Sequence, residues 1–363
     1  MIIKSLDLNN FRNYKLQNIV FDEKVNILYG SNAQGKTNIL EAIYMSGTNK
    51  SHRTTKDSEM IAFGEKEAHI KAIYEKRGSD QRIDMHLRTG KSKGIAINGV
   101  VLKKASQLYG LVNTVLFSPE DLALIKTGPS ARRRFMDMEL CQLDGVYTAN
   151  LLNYNKTLDR RNRVLKDIGF NPSLEDTLDV WDAQLCKTGR EIIKLRKAFI
   201  IRLNEIITGI HSSLTGGKEK LVISYEPSCE SDDMESLLRS GRDKDIRNRL
   251  TSYGPHRDDI VFDIDGVDIR RFGSQGQQRT TALSLKLAEI ELVRKLTNDN
   301  PILLLDDVLS ELDKDRQNYL LGSIQNIQTI ITCTGLDEFV GSRLNIDKVF
   351  EVNSGHVQEV RRQ

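Results

Sequence analysis

The sequence predicts an α/β fold that is interrupted by an inserted helical lobe. Two short apolar runs, Val25–Tyr29 and residues 302–305, have the composition of strands buried in a parallel sheet. A glycine-bearing loop follows the first run, and apolar residues from Ile39 to Tyr44 then recur at helical spacing. Between the two runs, residues 118–215 contain few glycines and place Leu and Ile three and four residues apart, which predicts helices.

Strands are predicted on both sides of the helical segment. Before it they cover residues 68–74, 83–87 and 95–102, with a hairpin signal, Asn98-Gly99, inside the last. Asn171-Pro172-Ser173 divides the helical segment into at least two helices.

After a loop at residues 215–220, strands return at 221–225 and 260–269. A long helix is predicted from Gln275 to about Leu296. We therefore expect an α/β body made of residues 1–117 and 221–363, and a helical lobe made of residues 118–220.

The composition is that of a folded chain with nearly balanced charge. Its 363 residues suggest two domains, or one large domain with an insertion, at about 150 residues per domain. The 53 Lys and Arg against 50 Asp and Glu give a net charge of +3, so a nucleic-acid surface has to be a local patch. Apolar residues make up 39% and charged residues 28%, which excludes a disordered chain.

We expect a cytoplasmic protein without a membrane partner. No apolar run approaches the ~18 residues of a membrane helix. The first residues lack the basic n-region and the apolar h-region of a signal peptide. The cysteines lie far apart without a CxxC pair, which argues against disulfides and a zinc site and for a reducing compartment. They are Cys141, Cys186, Cys229 and Cys333.

The loop after the first apolar run carries the GxxxxGK[ST] pattern of a phosphate-binding loop, or Walker A motif. Its glycines allow a tight turn in which successive backbone N–H groups point at phosphate. Lys36 can then reach the β- and γ-phosphates in a catalytic role, and the Thr37 hydroxyl can bind Mg²⁺. The alternative is a glycine-containing surface loop. The predicted nucleotide-binding residues are Gly30, Ser31, Asn32, Ala33, Gln34, Gly35, Lys36, Thr37 and Asn38.

The second apolar run ends in two carboxylates, as a Walker B strand does. Asp306 and Asp307 emerge at the carboxyl end of this strand, where α/β sheets bind ligands. We expect Asp306 to hold Mg²⁺, directly or through water, and Asp307 to orient or deprotonate the attacking water. The alternative is a strand followed by an acidic turn that caps a helix.

A third candidate segment precedes the long helix. Ser274 is a candidate N-cap, and a helix that begins with small residues and free N–H groups can grip an anion. Gly276 and Gln277 complete this candidate anion site. Seen in isolation, the segment fits an ordinary capped helix better.

Together these segments resemble the ABC-type ATPase heads of the SMC and DNA-repair class and, within it, the RecF family. Ser274-Gln275-Gly276-Gln277 is similar to the signature motif of the class, and Ser310-Glu311-Leu312-Asp313 to its D-loop. The resemblance covers nearly the whole chain. Its segments are LDLNNFRNY, GSNAQGKTN, SHRTTKDSEMI, FSPEDLALIKTGPSARRRFMD, YGPHRDD, SQGQQRT and LLLDDVLSELD.

The resemblance implies an ABC-type P-loop ATPase head with an inserted helical lobe. In that fold, residues 1–117 carry Walker A, and residues 221–363 carry the signature, Walker B and D-loop. ATP and Mg²⁺ are the implied cofactors. Two subunits would close on ATP as a homodimer, in which one supplies the P-loop and Walker B and the other supplies Ser274.

The implied function is that of an ATP-dependent, DNA-binding recombination mediator in DNA repair and replication restart. Members of the family bind double-stranded DNA and gapped or ss/ds junction DNA, and they work with RecR and RecO to load recombinase. The resemblance thus implies a weak, DNA-dependent ATPase that acts as a switch in the cytoplasm, at the nucleoid.

The sequence departs from the broader ABC pattern at three positions. Gln275 stands where transporter signatures carry Gly, and Asp307 stands where Glu is usual. Thr334-Gly335 follows a predicted strand without the usual switch histidine. All three departures fit a slow ATPase used as a switch. The family's Q-loop residue stays unassigned.

A basic stripe in the lobe is the main candidate for DNA contact. Lys187, Arg190, Lys194 and Lys197 fall within about 80° of one another on a helix. Arg132-Arg133-Arg134 and the arginines of residues 160–163 add positive charge to the same lobe. Phosphate contacts need charge and no base reading, so backbone or junction recognition suits these clusters. A solvated helix face is equally compatible with the stripe.

Two further clusters carry a positive charge. Lys50 and Arg53, with His52 and Lys56 nearby, follow the P-loop helix and are candidate DNA contacts. His256 and Arg257 lie in a segment shared with the family, where a structural turn is as plausible as a phosphate or dimer contact.

Two other functions remain open. The nucleotide-binding subunit of a transporter is disfavoured because the signature differs and a basic helical lobe has no role there. A DNA scaffold that does not hydrolyse ATP is disfavoured because Lys36, Thr37, Asp306 and Asp307 are all present.

Overall fold

The computed structural model describes residues 1–336 and 345–360. It divides into two compact units, one made of Met1–Asp121 with Glu289–Gln363 and the other of Leu122–Ala288. The first boundary lies close to the predicted one. The second differs, because residues 221–288, which we assigned to the α/β body, belong to the same unit as the helical lobe.

The helices and strands follow one another much as the sequence predicts. The helices are α1 (Lys36–Thr48), α2 (Leu122–Lys126), α3 (Pro129–Leu143), α4 (Gly145–Asp167), α5 (Leu178–Leu214), α6 (Met234–Ser240), α7 (Arg242–Asn248), α8 (Ile269–Phe272), α9 (Gln275–Thr297) and α10 (Lys314–Ser323). The strands are β1 (Ile2–Phe11), β2 (Tyr14–Val20), β3 (Val25–Tyr29), β4 (Glu67–Lys76), β5 (Ser79–Arg88), β6 (Gly94–Ile97), β7 (Val100–Val101), β8 (Thr114–Phe117), β9 (Leu221–Glu226), β10 (Asp259–Ile264), β11 (Val267–Asp268), β12 (Ile302–Asp306), β13 (Thr329–Cys333), β14 (Lys348–Asn353) and β15 (His356–Glu359).

The first unit is built from two sheets and the helix α1. One sheet is antiparallel, with the described strands in the order β2-β1-β4-β5-β6-β7. Its buried faces and α1 share one apolar core, to which Leu6, Ile43, Ile70 and Leu304 belong. The Asn98-Gly99 hairpin turn between β6 and β7 is confirmed.

The second sheet of this unit positions the site. Its described strands run in the order β15-β14-β3-β13-β12-β8, and all pairs are parallel except β14 with β15. Strand β13 lies between β3 and β12, with Cys333 opposite Tyr29 and Thr332 opposite Asp306. The loop after β3 and the carboxylates after β12 therefore reach the same sheet edge.

The second unit pairs long helices with a small sheet. Helices α4 and α5 pack against each other, and a 3-10 helix at Pro172–Thr177 separates them where the Asn-Pro-Ser break is predicted. The sheet β11-β10-β9 is antiparallel, and β9 packs on α5. Asn204 of α5 donates to the Ile223 carbonyl at 2.6 Å and accepts from its N–H at 2.8 Å. This pairing explains why residues 221–288 belong with the lobe.

Within the described ranges, no helix has both the length and the apolar character needed to span a membrane.

Candidate nucleotide site and DNA-binding surface

The predicted phosphate-binding loop connects β3 to α1 and depends on two glycines. Gly30 has φ +152°, and a Cβ there would lie 2.3 Å from the Val352 carbonyl oxygen. Gly35 has φ +119°, and its Cβ would lie 2.6 Å from Asn13 Nδ2. Any side chain at either position would clash with the backbone or with the side chains that support the loop.

The tip of the β1–β2 hairpin supports this loop from outside the motif. Asn13 donates through Nδ2 to the Gln34 carbonyl at 2.8 Å and accepts from Asn38 Nδ2 at 2.8 Å. The Tyr14 hydroxyl donates to the Gly35 carbonyl at 3.1 Å. The motif alone does not predict this support, because the hydrogen bonds join residues that are distant in sequence.

The lysine and threonine of the motif lie at the start of α1. Lys36 is 7% exposed, and its ammonium donates to the carbonyls of Gly30 at 2.5 Å and Ser31 at 2.9 Å. The Thr37 hydroxyl donates to Asp306 Oδ1 at 2.9 Å. The first turn of α1 contains no acidic residue. The positive end of the helix therefore faces no carboxylate from its own first turn.

Asp306 and Asp307 occupy contrasting environments. Asp306 is 6% exposed, and its Oδ1 also accepts from the Thr332 hydroxyl at 2.7 Å. Asp307 has a left-handed backbone, with φ +54°, and its Oδ1 is buried without a hydrogen-bond partner among the described residues. Burial raises the pKa of Asp307, and the nearby carboxylates of Asp306 and Glu311 raise it further, against the opposing charge of Lys36.

The segment after α1 returns to the start of that helix. Glu41 is fully buried, accepts from Arg12 Nε at 2.8 Å and also accepts from the Ser51 hydroxyl. Burial acts to raise the pKa of Glu41, but these hydrogen bonds outweigh it and lower the pKa. Arg53 Nη1 donates to Asn38 Oδ1 at 2.9 Å. This predicted DNA contact thus lies beside a predicted nucleotide residue, and both Arg53 and Lys50 are exposed.

The signature segment begins α9 with reciprocal capping bonds. Ser274 Oγ accepts from the Gln277 N–H at 3.2 Å, and Gln277 Oε1 accepts from the Ser274 N–H at 2.9 Å. The predicted N-cap is therefore confirmed. Gln277 Nε2 also donates to Glu219 at 3.0 Å, and His211 contacts the other oxygen of Glu219 at 3.1 Å. These bonds tie the start of α9 to the region after α5, while Ser274 and Gly276 stay exposed.

The predicted basic stripe lies on α5 but is partly neutralised. Arg190 donates to the Ser231 carbonyl at 3.1 Å and pairs with Glu235 at 3.4 Å. Lys197 pairs with Glu230. Lys187 and Lys194 are exposed and form no ion pair with any residue that the structure describes. The candidate DNA contacts thus differ in how freely they present their charge.

The prediction that the other arginine clusters add positive charge for DNA contact is wrong for two of their side chains. Arg132 is 1% exposed and makes a bidentate pair with Asp259 at 2.7 and 2.8 Å. Arg161 is fully buried and pairs with Asp182 at 2.6 Å and Asp245 at 2.7 Å. Their charges hold the unit together and do not reach the surface. A run of arginines looks the same in sequence whether or not one of them points inward.

Arg196, within the basic segment of α5, is also buried. It donates to Tyr147 at 3.0 Å, Asp137 at 2.7 Å and Asp258 at 2.9 Å, and also to the Pro255 carbonyl at 2.7 Å. This network fixes the YGPHRDD segment in place.

His256 has a structural role in the same segment. Its ring nitrogens contact the Tyr154 hydroxyl at 2.7 Å and the Thr251 carbonyl at 3.0 Å. Burial lowers its pKa to about 4, so the ring is neutral near pH 7. These contacts favour the structural turn over a phosphate contact at His256.

Comparisons with known proteins agree with the geometry. The family profile described as RecF/RecN/SMC N terminal domain matches residues 2–358. A protein of Agathobacter rectalis named DNA replication and repair protein RecF is 61% identical over 360 residues, which cover 99% of each chain. A protein of the same name from Lachnospira eligens is 58% identical, over 98% of this chain and 99% of the relative.

Solved structures give the same result. The recombination mediator protein RecF-ATP in the RecFOR pathway superposes with a TM-score of 0.93 at 36% identity, over 99% of this chain and 97% of that chain. The Smc head domain of Pyrococcus furiosus is 17% identical, with a TM-score of 0.56 over 99% and 95% of the chains, and shares the fold. The predicted fold class, an ABC-type ATPase head with an inserted helical lobe, is confirmed, and the chain belongs to the RecF family.

Proposed function

We propose that this chain is an ATP-dependent, DNA-binding recombination mediator that acts in DNA repair and replication restart. The observation that carries the proposal is the meeting of Lys36, Thr37, Asp306 and Asp307 at one sheet edge. Similarity to proteins named for DNA replication and repair, and to a recombination mediator bound to ATP, supports the same function.

The residues at this edge fit ATP and Mg²⁺. The loop from Gly30 to Asn38 supplies backbone N–H groups and a buried ammonium for phosphate. Thr37 and Asp306 offer oxygen ligands of the kind that Mg²⁺ prefers, and the bound ion would neutralise charge on the phosphates. Asp307 has an oxygen without a hydrogen-bond partner among the described residues and a raised pKa, so it is suited to orient a water and accept its proton.

A homodimer would complete the site. Ser274 and Gly276 are exposed at the start of a long helix, where free N–H groups and the helix dipole favour an anion. In a two-fold dimer, each site would join Lys36 of one subunit to the Ser274, Gly276 and Gln277 segment of the other. ATP binding would close the dimer, and weak, DNA-dependent hydrolysis would open it.

DNA would be held by charge, without base reading. Lys187 and Lys194 present free ammonium groups, and Lys50 is exposed near the P-loop helix. Such contacts suit double-stranded, gapped or ss/ds junction DNA. The RecFOR name of the solved relative supports RecO and RecR as partners that help load recombinase, in the cytoplasm at the nucleoid.

Nucleotide titration tests this function directly. Lys36→Ala should abolish ATP binding, measured with a fluorescent ATP analogue, because it removes the ammonium that reaches the phosphates. Sedimentation should then show dimer formation with ATP and DNA in the wild type and not in Lys36→Ala. Lys103→Ala, at an exposed lysine elsewhere in the same unit, is the control. Unchanged affinity in Lys36→Ala would refute the phosphate-binding assignment.

A further inference from the structure

The antiparallel sheet of the first unit carries metal-ligating side chains on its polar face. His69 of β4 lies directly opposite His86 of β5. Their rings stack with centroids 3.9 Å apart and planes 22° apart. Glu67 comes two residues before His69 on the same strand, so its side chain is on the same face.

The donor atoms of these three side chains converge. Glu67 Oε2 lies 2.9 Å from His86 Nε2. Taken together, one ligand atom from each of Glu67, His69 and His86 lies within 4.8 Å of the others. Metal–ligand bonds of about 2.0–2.1 Å place the donor atoms of a tetrahedral zinc site roughly 3.3 Å apart. Because Glu67 and His69 are exposed, side-chain rotations can close the difference.

The cluster differs from its neighbours on this face in its partners. Adjacent carboxylates pair with strong cations, as Asp7 does with Lys71 at 3.0 Å and Asp84 with Arg82 at 2.8 Å. Glu67, by contrast, pairs with His86 and forms no ion pair with a described Lys or Arg. His69 makes no hydrogen bond to any residue in the described part of the chain. Two imidazoles and a carboxylate thus face one another, and the strong cation opposite Glu67, Arg88, acts on that carboxylate without forming an ion pair with it.

We propose that Glu67, His69 and His86 form a binding site for a divalent transition-metal ion of the zinc class. Imidazole and carboxylate are ligands that suit such an ion, whereas the all-oxygen set of Thr37 and Asp306 suits Mg²⁺. The bound ion pins β4 to β5 across the sheet. Three protein ligands leave one coordination position for water or another ligand.

Calorimetric titration of Zn²⁺ into the untagged full-length protein tests the site, with millimolar Mg²⁺ present to occupy the oxygen ligands. The wild type should take up one zinc ion per chain. Removing a metal ligand should weaken binding at least as much as the loss of a supporting residue, about tenfold or more. We expect His69→Asn with His86→Asn to weaken binding at least ~100-fold and Glu67→Gln at least ~10-fold.

His356→Asn is the matched control, because His356 is an exposed strand histidine outside the cluster. Its zinc affinity should equal that of the wild type. Circular dichroism checks that each variant is folded, and Co²⁺ absorption provides a second readout of the same ligands. Absence of zinc uptake by the wild type, or equal uptake by the double histidine variant, would overturn the proposal.

Discussion

Two charged regions of the molecule differ in whether their buried polar atoms have hydrogen-bond partners. At the candidate nucleotide site, Asp307 has a left-handed backbone and a buried oxygen without a described partner. In the second unit, Arg196 is 1% exposed, and its Nε, Nη1 and Nη2 atoms all donate hydrogen bonds. An unsatisfied buried atom is costly and needs an explanation, which at Asp307 the water of the proposed reaction would supply.

This contrast separates charge that serves chemistry from charge that holds the fold together. Both regions appear in the sequence as charged segments. Only the hydrogen-bond partners show that Asp307 is available for a ligand and that Arg196 is fully engaged. Substitution of Arg196 should therefore lower the stability of the protein, whereas substitution of Asp307 should lower ATP turnover.

The largest expected effect is on stability, at Arg196. Arg196→Met leaves Asp137 and Asp258 without their buried cation, which should lower the free energy of unfolding by about 3–5 kcal/mol. Urea denaturation followed by circular dichroism measures this. Lys194→Met, at an exposed position on the same helix, should have little effect. Equal losses in the two variants would remove the distinction between structural and surface charge on α5.

Asp307→Asn should instead leave stability intact and lower ATP hydrolysis by about 100-fold or more, because an amide cannot accept the proton of the attacking water. ATP affinity should persist, since Lys36, Thr37 and Asp306 remain, and the ATP-bound dimer should accumulate in sedimentation. Asp315→Asn, at an exposed aspartate of α10, is the control. Wild-type turnover in Asp307→Asn would exclude this role.

The pH dependence sharpens the same assignment. The pKa of Asp307 is raised above the ordinary value for aspartate, mainly by burial. The carboxylate accepts a proton only when ionised, so turnover should fall as the pH drops through this raised pKa. The acid limb of the kcat profile should therefore lie at a higher pH than an ordinary aspartate would give. An acid limb at or below that ordinary value would contradict the role.

The smallest expected effect concerns DNA. Replacing Lys187 and Lys194 with Ala should flatten the salt dependence of DNA affinity by up to about 0.9 per lost phosphate contact. Replacing Arg190 and Lys197 should flatten it less, because acidic neighbours already pair with both side chains. Fluorescence anisotropy at several salt concentrations provides the slopes. Equal slopes for all variants and the wild type would indicate that the stripe is a solvated helix face that does not contact DNA.

The sequence predicts that the residues of the candidate nucleotide site meet, because the parts of that site are local. Lys36 and Thr37 follow a buried strand within one motif, and Asp306 and Asp307 end another, so the edge of a parallel sheet brings them together. The support from Asn13 is not predictable in this way, because it reaches Gln34 through a distant hairpin. The proposed zinc ligands are not predictable from the sequence either, because the pairing of β4 with β5 brings them together.

The predicted domain boundary and the predicted role of the arginine clusters differ from the structure for a related reason. The alternating pattern of β9 predicts a strand but does not say which helix it packs against, and that helix is α5. Arg132 and Arg161 belong to basic runs, and only tertiary contacts show that they point inward. Sequence patterns indicate local structure and charge. They do not indicate which partner lies across the fold.

The most direct test of the central claim mixes two inactive variants. Ser274→Arg places a bulky cation at the start of α9, and Lys36→Ala removes the phosphate-binding ammonium. Random pairing makes about half of the dimers heterodimers, each with one site carrying both lesions and one carrying neither. If the site is composite, ATP-dependent crosslinking should exceed that of either variant alone, with about a quarter of wild-type hydrolysis if sites act independently. Crosslinking and hydrolysis no higher than in the separate variants would contradict a nucleotide site shared between two subunits.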